Sequence, residues 1–230
     1  MNNLIVIPTY NEAENVINLI NSLQVVNCDI LIVDDSSPDK TSDLVRGHIK
    51  FQKSVYLIER TGERGYASAC KAGFEYGIQK NYQSLIQMDA DFSHSTEDLK
   101  DMLSFSTDYD LIIGSRYIVG GKTSGWGIGR ILLSKIANLF TKGYLRIKVN
   151  DLTSGFRIYK TEVIKSIDLK SLSSEGYGFL VEILYELNKN KISIKEVPIH
   201  FNDRKFGSSK MNTSIILEAI RLVILLKFKS

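Results

Sequence analysis

The segment QMDADFSH, residues 87–94, places two carboxylates, Asp89 and Asp91, one residue apart directly after the apolar pair Leu85-Ile86. Hard carboxylate oxygens with open positions suit Mg²⁺ or Mn²⁺, which keep one or two protein carboxylates and take their other ligands from water and substrate phosphates. The same spacing also suits a plain turn or helix cap, because Asp bonds readily to nearby backbone. If the acids end a strand, its period of two points both outward on one side. His94 reads as a ligand or as a turn residue. A second set is cationic. Arg116 and Arg130 are joined further on by Arg204 and Lys210, and Ser134 follows Arg130 by four residues, on the same face of a helix. Guanidinium forks match phosphate oxygens and a lysine adds a point charge, so the set can cradle a phosphate; singly, each arginine is also an ordinary surface charge.

These residues need a scaffold, and the hydropathy pattern supplies one. Short apolar runs at 4–8, 29–35, 55–59, 85–89 and 110–114 read as buried strands. Between them NEAENVINLINSL, TSDLVRGHI, YASACKAGFEYGI and TEDLKDMLSF carry helical period, with Val16, Ile17, Ile20 and Leu23 on one face of the first. The alternation predicts an α/β fold, a mostly parallel sheet covered on both faces, with ligands gathering beyond the carboxyl ends of the strands. PTYNE, DDSSPD, DADFSH and GSRY all fall at such ends. The second half is less regular: a glycine-rich stretch (Gly120, Gly121, Gly125, Gly127, Gly129) reads as a mobile loop, RILLSKIANLFTKGYL as a helix and DLTSGFRIY as a strand. SEGYGFLVEILYELNKN carries a further helix, and ISIKEVPIHFNDR a strand whose Pro198 marks an edge or bulge.

Length and charge bound the remaining classes. At 230 residues the chain is most simply one domain, divided into a first half to about residue 92, a second half to about 212 and an amphipathic segment over 213–230. A formal charge of +3 argues against wholesale binding of nucleic acid but permits a local anion site. Cys28 and Cys70 form no metal-ligand pair and no disulfide framework, which reads as a reduced cytoplasmic chain. No basic n-region or long apolar h-region follows Met1, so no secretory signal is expected.

Taken as a set, PTYNE, DDSSPD, DADFSH, GSRY, DLTSGFR and EVPIHFNDRKFGSSK closely resemble the dolichol-phosphate (polyprenol-phosphate) mannose synthases, family 2 glycosyltransferases of GT-A fold. The likeness runs from about residue 4 to about residue 215. It implies an inverting, metal-dependent transferase moving mannose from GDP-mannose to a polyprenyl or dolichyl phosphate. Pro8, Tyr10 and Glu12, continued by Val33 and Asp35, would hold base and ribose. An aromatic body and a carboxylate suit that task, and the same residues could instead only begin a helix. Asp89 and Asp91 would hold Mg²⁺ or Mn²⁺ on the donor diphosphate, with Ser93 as a further ligand and Ala90 contributing backbone. Arg116, Arg130 and Ser134 would bind the lipid phosphate, and Arg204 and Lys210 would close on the diphosphate. The segment ERGYASA departs from the K-x-G-L-G-T-A type of relatives by placing Ala67 at the second glycine, which leaves UDP-glucose open as the donor. A non-catalytic nucleotide-sugar-binding protein is the reading from another class.

A phosphate monoester is already an anion, so such an acceptor attacks without a general base, and His48 and His200 read as incidental. SIILEAIRLVILLKFK, residues 214–229, is apolar but interrupted by Glu218 and Arg221, short of the roughly 20 apolar residues a spanning helix needs. It suits an in-plane anchor at the cytoplasmic face of a membrane or a helix packed on the domain, and a membrane partner subunit is a further route to the lipid.

Overall fold

The computed structural model describes residues 2–62, 64–203 and 223–227, with the side chain of Tyr177 left aside. Its strands are β1 (Asn3–Thr9), β2 (Asp29–Asp34), β3 (Val55–Glu59), β4 (Ser84–Gln87), β5 (Leu111–Ser115), β6 (Lys122–Ser124), β7 (Arg157–Lys160), β8 (Ile194–Pro198) and β9 (His200–Asn202). The helices are α1 (Val16–Leu23), α2 (Thr41–Arg46), α3 (Tyr66–Gln79), α4 (Thr96–Leu103), α5 (Ile128–Leu145), α6 (Thr161–Lys165) and α7 (Gly176–Lys189).

Seven strands form one sheet in the order β3-β2-β1-β4-β7-β5-β8. The first five apolar runs become β1 to β5 as expected. Because β1, β2, β3 and β4 are parallel neighbours, their carboxyl ends open on one edge. The departure lies in DLTSGFRIY. Only its second part is a strand, and β7 inserts antiparallel between β4 and β5. Residues 151–156 therefore arrive at the same edge as an entering loop, and that loop brings the second-half chemistry opposite DADFSH.

Apolar strands with both faces buried explain the layering. On one face Leu4, Val6, Leu31 and Val33 pack under α3 and α7 through Phe74, Phe179 and Leu184. On the other, Ile5, Ile7 and Ile32 meet Val16, Leu19 and Ile20 of α1 and Leu99 of α4. The first helix starts at Val16, later than its sequence pattern, because residues 10–15 are drawn into the cleft edge; Leu19 joins its buried face and Ile17 is only partly buried. Pro198 ends β8, an edge strand, where its missing N–H leaves no ladder bond unmade. Part of the glycine-rich stretch is ordered against expectation: β6 pairs in parallel with β9, and both lie outside the main sheet.

Among the described residues no helix is long and apolar enough to cross a membrane. Most of segment 214–229 lies outside those residues. Within the described turn, Val223 and Leu226 are buried in the core, while Ile224 and Leu225 are exposed.

Candidate active site

Beyond the strand ends lies an open cleft of about 670 Å³, lined on one side by Pro8, Tyr10, Glu12, Asp35, Asp89 and Asp91, and on the other by Arg116, Arg130, Thr153 and Phe201. Its first wall is a set of loops tied together by short polar side chains. Asp34, fully buried, accepts from the hydroxyls of Thr9 (2.8 Å), Ser37 (2.6 Å) and Ser42 (3.0 Å) and from the Ser37 N–H (2.8 Å). Four donors on one carboxylate offset the cost of burying it away from water. The next residue, Asp35, accepts from the Gly65 N–H at 2.8 Å and sits 3.1 Å from Arg60 Nε. Glu12 receives Asn15 Nδ2 at 2.8 Å, and the Glu12 N–H donates to Thr41. Tyr10 is half exposed, its ring under the Arg64 guanidinium at 5.6 Å. An aromatic face, a cation and carboxylates at the ends of β1 and β2 form a surface fitted to a planar base and hydroxyls.

The acidic pair is placed differently from the sequence expectation. Strand β4 stops at Gln87, with one further ladder-type bond from Met88 N–H to the Val6 carbonyl, so Asp89 and Asp91 stand in a loop rather than on a strand terminus. Their common direction comes from the turn: Asp91 Oδ1 accepts the Ser93 N–H at 3.0 Å, and Phe92 takes a left-handed φ of 60°. A bulky residue there is uncommon, and such strain is held by surrounding structure. Asp89 Oδ1 accepts from Tyr66 Oη at 3.2 Å, and Oδ2 lies 3.4 Å from His94 Nε2. The Tyr66 hydroxyl in turn accepts from Gln87 Nε2, whose Oε1 accepts from Tyr159. Burial, and after it the charge of Asp89, push the Tyr66 phenol well above its ordinary pKa, so it serves as a donor.

His94 is the residue the sequence left undecided. Its ring is buried, stacked on Phe156 at 4.6 Å and edge-on to Phe201 at 5.5 Å, and it borders the cleft beside Asp89. Ser93 is buried and off the cleft wall, with its hydroxyl unbonded among the described residues. Asp89 and Asp91 both face the cleft, while no cluster of three His, Cys, Asp or Glu gathers among the described residues. Two carboxylates without a full protein cage fit a hard divalent cation that completes its shell from water and phosphate.

The second wall is cationic and more deeply built. Arg116 is nearly buried and bidentate on Asp151, with Nε to Oδ2 and Nη2 to Oδ1 both 2.7 Å, and Nη2 also reaches Thr153 Oγ1 at 2.9 Å. The rings of Tyr117, Trp126 and Phe201 lie 5.1, 5.2 and 5.4 Å from its guanidinium carbon. Arg130, at the start of α5, stacks on Trp126 at 4.0 Å and approaches Asp203 at 3.4 Å. Trp126, which composition alone would leave in a flexible loop, spaces the two guanidinium groups. Ser134 shares the helix with Arg130 but accepts from Tyr117 Oη at 2.6 Å and does not border the cleft.

Val33 also lies away from the cleft: the alternation of β2 puts its side chain with Leu31 in the core under α3, a correction to its expected place on the base wall. Ala90 borders the cleft, whereas Arg204 and Lys210 lie outside the described residues. Tyr66, Asp151 and Thr153 were not singled out in the sequence. DLTSGFR carried the signal for two of them, as an acid and a hydroxyl ahead of a strand.

Comparison with known proteins follows the same lines. Residues 4–168 match the model of "Glycosyl transferase family 2". The polyprenol monophosphomannose synthase of Mycolicibacterium smegmatis is 39% identical over 94% of this chain and 83% of its own length. The undecaprenyl-phosphate mannosyltransferase of Micrococcus luteus is 38% identical over 94% and 90%. In the dolichol-phosphate mannosyltransferase of Pyrococcus furiosus, 35% identical, the match spans 61% of the relative. The fold is shared with glucosyl-3-phosphoglycerate synthase of Mycobacterium tuberculosis, solved with Mn²⁺, UDP and phosphoglyceric acid, at a TM-score of 0.70 and 15% identity over 99% of this chain and 78% of that one. With the family model matched over residues 4–168 and two relatives at 38–39% identity along 94% of it, this chain belongs to glycosyl transferase family 2.

Proposed function

We propose that this enzyme transfers a mannosyl residue from GDP-mannose to a polyprenyl phosphate at the cytoplasmic face of a membrane, with inversion at the anomeric carbon. The observation that carries this reading is the polarity of the cleft: acids at one wall and two aromatic-packed arginines at the other, in one continuous space. The names of the relatives, which act on polyprenyl, undecaprenyl or dolichyl phosphate, support the acceptor class.

Tyr10, Glu12 and Asp35 receive the nucleoside, and Asp89 and Asp91 would hold Mg²⁺ or Mn²⁺ against the donor diphosphate. When bound, such a cation neutralises charge on the leaving nucleoside diphosphate. Arg116 and Arg130 orient the acceptor phosphate. One of its oxygens forms the bond to C1 as the bond from C1 to the diphosphate breaks, and the electron pair leaves with the diphosphate. No proton has to be removed from a dianionic or monoanionic phosphate, so no general base is required. That agrees with His48 and His200, whose ring nitrogens engage Asn21 and Ser124 outside the cleft. Rate then comes from holding nucleophile and anomeric carbon in line and from charges fixed in advance.

The test is transfer from labelled GDP-mannose, with UDP-glucose in parallel, to a short polyprenyl phosphate in Mg²⁺ or Mn²⁺. Lipid-linked mannose is the expected product, and Asp91→Asn should lower turnover by about 10²-fold or more. Glucose transfer alone would reassign the donor. No lipid-linked sugar from either donor, with nucleotide binding intact, would favour a sugar-nucleotide sensor.

A further inference from the structure

Arg157 of β7 is the bulkiest fully buried side chain among the described residues, and no carboxylate there pairs with it. Its nitrogens turn to backbone carbonyls instead. Nε donates to Ser154 at 2.8 Å, Nη2 to Leu152 at 2.7 Å and Nη1 to Leu180 of α7 at 2.8 Å. These bonds satisfy the donors and shape the loop that carries Thr153 and Gly155. Carbonyl dipoles do not neutralise a charge, however, and a fully buried cation is ordinarily matched by an acid.

One face of the sheet connects this charge to the cleft. Antiparallel pairing sets Gln87 of β4 opposite Arg157, and the strand period of two puts Tyr159 on the same side. Arg157 Nη1 lies 3.4 Å from Tyr159 Oη, which donates to Gln87 Oε1 at 3.1 Å. Gln87 Nε2 donates to Tyr66 Oη at 2.9 Å, and that hydroxyl donates to Asp89 Oδ1 at 3.2 Å. The buried guanidinium and the cleft acid are thus the two ends of one hydrogen-bonded chain.

The ends fix the direction of the chain. A guanidinium only donates and an ionised carboxylate only accepts, so each hydroxyl between them accepts from the Arg157 side and donates toward Asp89. With the Gln87 amide turned round, Tyr66 would need two protons, one for Gln87 and one for Asp89. Bonds aligned head to tail polarise one another, each strengthened by roughly 10–30%.

We infer that Arg157 is a positioning residue for Asp89, acting through Tyr159, Gln87 and Tyr66 so that the carboxylate meets a divalent cation already oriented. The inference rests on the metal role proposed above for Asp89. Removing a group bonded directly to a metal-binding side chain typically weakens metal affinity by about 10- to 100-fold, and a link further back in the chain should matter less.

Arg157→Met would strip the donors from three buried carbonyls and threaten the fold, so the chain is better cut at Tyr159. Tyr159→Phe keeps the ring's packing on Phe74 and every carbonyl bond of Arg157. The probe is Mn²⁺ in the presence of GDP, its free fraction read by electron spin resonance, with thermal melts alongside. Tyr159→Phe should bind Mn²⁺ about threefold to tenfold more weakly than the wild type, and Tyr66→Phe about tenfold or more. The double variant should bind no more weakly than Tyr66→Phe, because a chain already cut transmits nothing further. Tyr82→Phe, which loses a 2.6 Å bond to Asp29 at the opposite end of the sheet, should melt lower and bind Mn²⁺ as the wild type does. Wild-type affinity in Tyr159→Phe, or a Tyr159 effect of equal size with and without the Tyr66 hydroxyl, overturns the inference and leaves the metal site standing. No Mn²⁺ binding by the wild type, or binding unchanged in Asp89→Asn, removes the metal role and the inference together.

Discussion

On the acidic side of the cleft, Asp89 stands in a loop with its side chain 32% exposed, with the Tyr66 phenol bonded to it and the His94 imidazole 3.4 Å away. On the cationic side, Arg116 is 4% exposed and its partner Asp151 is 0% exposed, joined by two 2.7 Å bonds and boxed by three rings. One wall thus turns partly exposed acids toward the cleft. The other balances much of its charge internally before any anion arrives, so Arg116 works mainly as a fixed shape. Arg130, opposed by the more exposed Asp203 at 3.4 Å, is the more adjustable of the two cations. The difference teaches that equal-looking site residues can be tuned for different work: Asp89 for charge, Arg116 for position.

Breaking the rigid side should cost most. Asp151→Asn leaves a buried guanidinium without its counter-charge, and truncating one partner of such a pair destabilises by about 3–5 kcal/mol. Denaturant unfolding should show that loss. The double change Arg116→Met with Asp151→Leu should recover much of it while activity stays low, since the apolar pair removes the buried charge but not the need for the arginine. A loss below about 1 kcal/mol in Asp151→Asn would mean that water or another group already shares the charge.

The contact between the two walls gives the next effect. Gly155, in the loop entering β7, has no room for a side chain: an added Cβ would stand 2.7 Å from Tyr66 Oη and 3.5 Å from Asp89 Oδ1. Gly155→Ala should therefore fold, with the loop or Tyr66 displaced by some tenths of an ångström, and lose about tenfold to 10²-fold in kcat. Donor affinity measured by calorimetry should fall less than kcat. Unchanged turnover would show that Asp89 tolerates movement and that its exact support is unimportant.

The same comparison explains what could be read in advance. First-half chemistry was legible because parallel strands bring consecutive loops to one edge, so a short apolar run ending in a polar motif already places Tyr10, Asp35 and Asp91 there. The second half depends on β7 running antiparallel between β4 and β5. Nothing local in DLTSGFRIY states that direction, and the partnership of Asp151 with Arg116, 35 residues away, follows only once it is known. Trp126 was hidden for a related reason: glycines around it signal freedom, while its order comes from Arg130 and Phe201. Val33 was misplaced by carrying a motif's neighbourhood onto a residue whose strand parity points inward.

Sharpening the comparison needs a smaller change on the acidic side, and Tyr66→Phe supplies one. The ring keeps its packing while the donor to Asp89 Oδ1 disappears, and Gln87 Nε2 loses its 2.9 Å acceptor, retaining the longer contact to Cys70 Sγ at 3.5 Å. A hydrogen bond to a charged group contributes about 1.5–3 kcal/mol, part of which water recovers at an exposed carboxylate. The expected result is a fall in kcat of about tenfold with KM for the lipid acceptor unchanged, and stability lower by about 1 kcal/mol from the orphaned amide. A rise in acceptor KM instead would place the influence of Tyr66 across the cleft, through Gly155 and the Thr153 loop. The two walls would then be one mechanically coupled unit, and the division between a charge-bearing side and a shape-bearing side would fail.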